Sequence, residues 1–274
     1  MGFSLDPGAV ALLALVAALY ERAVRVLRRR GYDVPVGQRA AWYAGLGLTA
    51  AALVGPVDSL SEDLVLAHMG QHLLLGDLAA PFLLIGVRSP VYAFLLPRAA
   101  LTSLARRRRL RAAFRTLRKP WVAVPVWTAL LYFWHFGFAF VAALEHPALH
   151  VLQHQSFLLG ALLVWWSVVE PTRRRLQPDL WKVPYVLGSR LPGMFLGMAL
   201  ILLRTPAYAA YYGDRARDYG LSPLTDQQIA GGMMLGLDLV VMLLVLAIIF
   251  YRSGEEHDRA ERAARDRLVH GPAA

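Results

Sequence analysis

Two pairs of histidines with helical spacing carry the chemistry of this sequence. His68 and His72 are four residues apart, and so are His150 and His154. On a helix, each pair would present both rings from one face. His146 extends the second series by a further turn, and His135 follows a tryptophan in the stretch between. Imidazoles grouped in this way can ligate a transition metal, and thioethers beside them would favour soft Cu(I). Met69 lies inside the first pair, while Met198, Met233 and Met234 fall on later apolar stretches, so all four are possible additional ligands. Asp226, followed by Gln227, is the candidate carboxylate. There are no cysteines, which excludes disulfides and thiolate metal sites. A lone buried histidine is ordinarily an interhelical hydrogen bonder, and membrane methionine is ordinarily packing material. Two i,i+4 pairs at matched depth on neighbouring helices go beyond that ordinary use.

The elements that must position these residues are membrane spans. The chain of 274 residues is 57% hydrophobic, with a mean hydropathy of +0.44. Crossing about 30 Å of hydrocarbon takes roughly 20 helical residues. Seven stretches qualify, at about 7–27, 40–60, 61–86, 121–144, 146–169, 185–206 and 227–251. The expected fold is therefore all-α, an integral membrane bundle of seven transmembrane helices over 1–252, followed by a charged tail at 253–274. Gly45, Gly47 and Gly55 suit close helix packing in the second span, and Pro56–Ser61 must turn tightly into the third. Val91–Leu101 reads as an interfacial segment. Asp6, not a basic region, precedes the first apolar stretch, so no cleavable signal peptide is expected.

The net charge of +10 would suggest nucleic acid in a soluble protein. Here topology explains it, because the basic residues lie in short loops. Arg22 to Arg39 follow span one, Arg106 to Lys119 follow span three, and Arg173, Arg174, Arg175 and Lys182 follow span five. On the opposite side stand only Arg204, Arg215 and Arg217. By the positive-inside rule the N-terminus is outside and the C-terminus cytoplasmic. The Arg106–Arg109 run reads as an anchor to anionic lipid headgroups.

On this map the six membrane histidines fall in one outer-leaflet layer roughly 10–15 Å thick at 1.5 Å per residue. His146 and His154 are about 12 Å apart along their helix, too far to share one ion with bonds of about 2 Å. The economical site is His68, His72, His150 and His154 with His135 close by, and His146 at the mouth. Deeper down, Asp77 and Arg190 match in depth and would relieve each other's charge as a structural pair, which Asp238 could share.

Several separated motifs resemble one family. They are His68-Met69-Gly70-Gln71-His72, then Trp134-His135, then His146-Pro147-Ala148-Leu149-His150-Val151-Leu152-Gln153-His154, and finally Asp226-Gln227-Gln228-Ile229-Ala230-Gly231-Gly232-Met233. Together they are similar to the multi-span CtaG-type cytochrome c oxidase assembly factors, from about Ala40 to Tyr251. The family is distinct from the single-span copper chaperone that shares its name. The resemblance implies a non-enzymatic protein of the bacterial cytoplasmic membrane that binds one or two copper ions. It further implies help in assembling a haem-copper oxidase by supplying copper from the periplasmic side. The implied partners are the oxidase catalytic subunit, a periplasmic copper donor and membrane lipid, with a homodimer left open. A copper permease would use the same site, and two facing histidines could instead hold a b-type haem in an electron carrier. The His-x-x-x-His spacing of zinc peptidases is also present, but Met69 stands where their glutamate base is needed.

Overall fold

The computed structural model describes residues 7–172 and 179–270, and every regular element among them is helical. The main helices are α1 (Pro7–Arg28), α2 (Val36–Leu53), α3 (Pro56–Ser61), α4 (Val65–Gly86), α5 (Arg98–Arg106), α6 (Arg108–Leu117), α7 (Pro120–His135), α8 (Gly137–Glu145), α9 (Pro147–Val169), α10 (Lys182–Leu202) and α11 (Pro223–His270). Four of them are long and apolar enough to cross a membrane: α4, α9, α10 and the Pro223–Arg262 part of α11. A fifth crossing results if α7 and α8 are one broken span, bent by 72°. Arg173, Arg174 and Arg175, residues 1–6 and residues 271–274 lie outside the described residues.

Close backbone approaches set the bundle. A Cβ on Gly86 would lie 2.6 Å from the Trp42 Cβ, and one on Gly45 would lie 2.8 Å from the Leu83 nitrogen, so α2 and α4 touch backbone to backbone. Gly197 and Gly231 do the same for α10 and α11, each within 2.7 Å of the other's carbonyl oxygen. Small residues permit such contact, which maximises dispersion where lipid offers no hydrophobic drive. Gly47, expected in an interface, faces open space, and Gly55 instead turns the chain into α3 at φ 93°.

Three local features depart from regular spans. Leu74–Ala79 of α4 is π-helical. An ordinary helix sets residues five apart about 140° away from each other around its axis. The wider i→i+5 turn of the π segment reduces that angle, and Asp77 and His72 line one cleft. The fourth expected span breaks at Phe136, an extended residue (ψ 134°), which leaves His135 as the last residue of α7. The charged tail, expected from residue 253, continues the seventh span without interruption, as one 48-residue helix to His270. Basic α5 and α6 contain no buried residue, which suits a surface-lying pair.

Candidate metal centre

The histidines arrive from α4, α7 and α9. The first turn of α4 is fixed from outside: both Asp226 carboxylate oxygens accept its free amides, from Val65 at 2.8 Å and Leu66 at 3.0 Å. Helix N-termini leave such donors unsatisfied, and a carboxylate answers their partial positive charge. Asp226 therefore caps the histidine helix with both of its oxygens. Gln71, fully buried between the pair, donates to the Ala52 carbonyl (2.7 Å) and to Asp58 (2.9 Å), and this holds the helix in phase.

His68, His72 and His154 converge. One ligand nitrogen from each lies within 4.8 Å of the others, and all three rings are buried. Around one ion with bonds of about 2 Å the set would close by about 1 Å. Ring centroids are 4.5 Å apart for His68 and His72, 5.5 Å for His72 and His154, and 5.8 Å for His68 and His154. Neither nitrogen of His68 or His72 makes a hydrogen bond of normal length and angle, nor do Nε2 of His154 and Nε2 of His150, and the buried Gln153 amide stands beside His68. Buried polar atoms are nearly always paired, so this concentration of imidazole nitrogen has the donor chemistry to hold a metal ion. Phe140 and Phe157 wall the cluster, at 4.7 Å from His68 and 4.2 Å from His72.

The remaining expected residues are distributed around this trio. His150 stacks on His68 at 5.3 Å and touches His154 at 4.3 Å, so it flanks the trio from the first turn of α9. His146 is exposed at the head of α9 and outside the cluster. His135 lies 5.8 Å from His72, but its Nδ1 is 2.7 Å from the Leu131 carbonyl and its Nε2 is 3.3 Å from the Met69 sulfur. Met69 and Met234 are buried, and Met233 is partly buried against the core. Met198 is 40% exposed on the outer surface of α10, so helix phase removes it from the site. Arg190 bonds both Asp77 and, at 3.1 Å, Asp238. Lys182, expected in a loop, is instead buried at the start of α10 and paired with Glu170 at 2.8 Å.

Sequence reasoning missed Tyr208, whose hydroxyl donates to the His135 carbonyl freed by the helix break (3.0 Å) and whose ring stacks on Phe140 at 3.9 Å. Its place after Pro206 in a polar loop gave no periodic signal.

Fold and site together define a multi-pass α-helical membrane protein with a buried imidazole cluster. The chain belongs to the cytochrome c oxidase caa3 assembly factor family (Caa3_CtaG), whose model matches residues 18–255. The family is one of assembly factors and not of enzymes. Two uncharacterized mycobacterial proteins, from Mycobacterium bovis and Mycobacterium tuberculosis, are each 24% identical over 264 residues. The match covers 92% of this chain but 39% of theirs, so the chain spans about two fifths of the length of these relatives. No solved structure matches it.

Proposed function

We propose that this protein accepts copper at His68, His72 and His154, with His150 flanking, and passes it to the catalytic subunit of a haem-copper oxidase during assembly. The observation that carries this reading is the trio of buried rings, each with one ligand nitrogen within 4.8 Å of the others. Neutral imidazoles in an apolar cage suit a borderline or soft ion, and membership in an oxidase assembly family supplies the destination. The topology proposed is seven spans in the bacterial cytoplasmic membrane. In it α1 and α2, of 22 and 18 residues, join the apolar helices and the bent α7–α8 pair, with the N-terminus outside. The histidines then face the periplasmic side, His146 stands at the mouth, and a periplasmic donor loads the site. Residues 253–274 form the cytoplasmic tail.

Phe140 at 4.7 Å from His68 and Phe157 at 4.2 Å from His72 pack directly on the rings where a macrocycle would have to lie, which argues against a b-type haem carrier. The cleft below the trio holds only about 20 Å³, room for about one water-sized sphere and no continuous path inward, which favours binding over a permease. Metal analysis of detergent-purified protein tests the proposal. Wild type should retain copper, and His72→Ala, which removes one of three converging ligands, should lose it and leave cells with inactive, copper-poor oxidase. Normal oxidase activity in His72→Ala cells at low copper would refute copper delivery.

A further inference from the structure

A narrow cleft continues inward from the trio, with a volume of about 20 Å³, room for about one water-sized sphere. Its wall includes Met69, His72, His135, Met234, Arg190 and Asp238. His135 is the informative residue. Its Nδ1 faces the Leu131 carbonyl at 2.7 Å, and a carbonyl only accepts, so the ring proton sits on Nδ1. Nε2 of the neutral ring is then a bare lone pair, yet it faces the Met69 sulfur at 3.3 Å. A thioether has no proton to give. Two electron-pair donors are thus held in contact, both buried, an arrangement that a shared cation would make favourable. With bonds of about 2.0 Å to nitrogen and about 2.3 Å to sulfur, a 3.3 Å separation corresponds to an angle of about 100° at the ion, close to tetrahedral.

We propose that His135 Nε2, the Met69 sulfur and the Met234 sulfur form a second site beneath the trio, selective for a monovalent soft cation, Cu(I) or its analogue Ag(I). It rests on the reading of the trio as the place where copper enters. His72 lines the cleft and also contacts His154, so it stands between the two sites. The donors are all neutral, so the ion's charge needs a counter-charge in this medium. Asp77 and Asp238 share the single guanidinium of Arg190, so with both carboxylates ionised the inner end of the same cleft carries a formal charge of −1. Asp77 lines this cleft from within the π-helical segment of α4.

The test uses full-length protein labelled with selenomethionine, purified in detergent and loaded anaerobically with Ag(I). Selenium-edge absorption should reveal a silver neighbour bonded to selenium once the second equivalent is added. This readout requires no substitution, so misfolding cannot imitate it. Met69→Leu should abolish the second equivalent and the selenium–silver signal while the first equivalent remains. Asp238→Asn, which changes no donor, should weaken the second equivalent about tenfold. Absence of selenium–silver scattering at two equivalents, or a Met69→Leu protein that binds both equivalents as wild type does, would overturn the site. Selenium–silver scattering that survives in His154→Ala, with the trio's ion lost, would support the site even if oxidase assembly proved independent of the trio.

Discussion

Replacing Asp226 with alanine separates a cap from a ligand. The carboxylate accepts amides from Val65 and Leu66 at 2.8 and 3.0 Å and is 1% exposed. A hydrogen bond to a charged group contributes about 1.5–3 kcal/mol, so the pair together contributes about 3–6 kcal/mol. Water can reach the cut amides only by entering the bundle, and relaxation of α4's first turn recovers part of the loss, so about 3 kcal/mol is the expected net cost. At roughly 2–4 °C per kcal/mol for a chain of this size, the unfolding midpoint in detergent should fall by roughly 6–12 °C. Asp226→Asn keeps one acceptor and should lose about half as much. His68 is one turn beyond Val65, so copper affinity should weaken about tenfold while the number of ions bound at saturation stays the same. Thermal unfolding followed by tryptophan fluorescence, paired with copper titration against a chelator, measures both quantities. An Asp226→Ala protein that melts with wild type but binds one ion fewer would show that the carboxylate is a ligand and the capping argument is wrong.

Three further outcomes are expected. Arg190→Met leaves Asp77 and Asp238 buried without their shared cation and should destabilise by about 3–5 kcal/mol, read as a lowered melting midpoint. Adding Asp77→Asn and Asp238→Asn to that variant should recover part of the loss. Gly231→Leu should abolish stable expression, because even a Cβ there would sit 2.6 Å from the Gly197 carbonyl, whereas Gly232→Ala, with nothing within 4 Å, should melt like wild type. A periplasm-active reporter inserted within 214–221 should be active and one fused after Arg259 inactive; the reverse pattern would put the histidines on the cytoplasmic side.

Much of the site was legible because it depends on period alone. Residues four apart share a helix face whatever the tertiary structure, so the His68–His72 and His150–His154 pairs could be read directly. The match in depth of Asp77 and Arg190 was equally available from counting residues along spans. What could not be read were the places where a helix departs from 3.6 residues per turn or stops. The π turn in α4 and the break at Phe136 lie inside long hydrophobic stretches whose pattern does not mark them, and the break decides that His135 ends a helix. The cap from Asp226 crosses 160 positions in the chain and left no local signal, because acidity and proximity serve a cap and a ligand alike. Met198 failed for a simpler reason: its depth was right, but which face of α10 meets the bundle is settled by Gly197 against α11.

The unbroken course of α11 has a mechanical consequence. Its 48 residues span about 72 Å at 1.5 Å per residue, more than twice the hydrocarbon thickness of about 30 Å. A long stretch of this helix must therefore stand clear of the hydrocarbon layer. Asp226 sits at the opposite end, one turn from the start, and it grips the first turn of the helix that carries His68 and His72. Between the two ends α11 stays packed on α10, through Gly231 on Gly197, Asp238 on Arg190, and Met242 and Ile249 on Val186. The cap on the histidine helix and the charged tail thus belong to one unbroken rod, so a partner docked on the tail would hold the same element that fixes the first turn of α4.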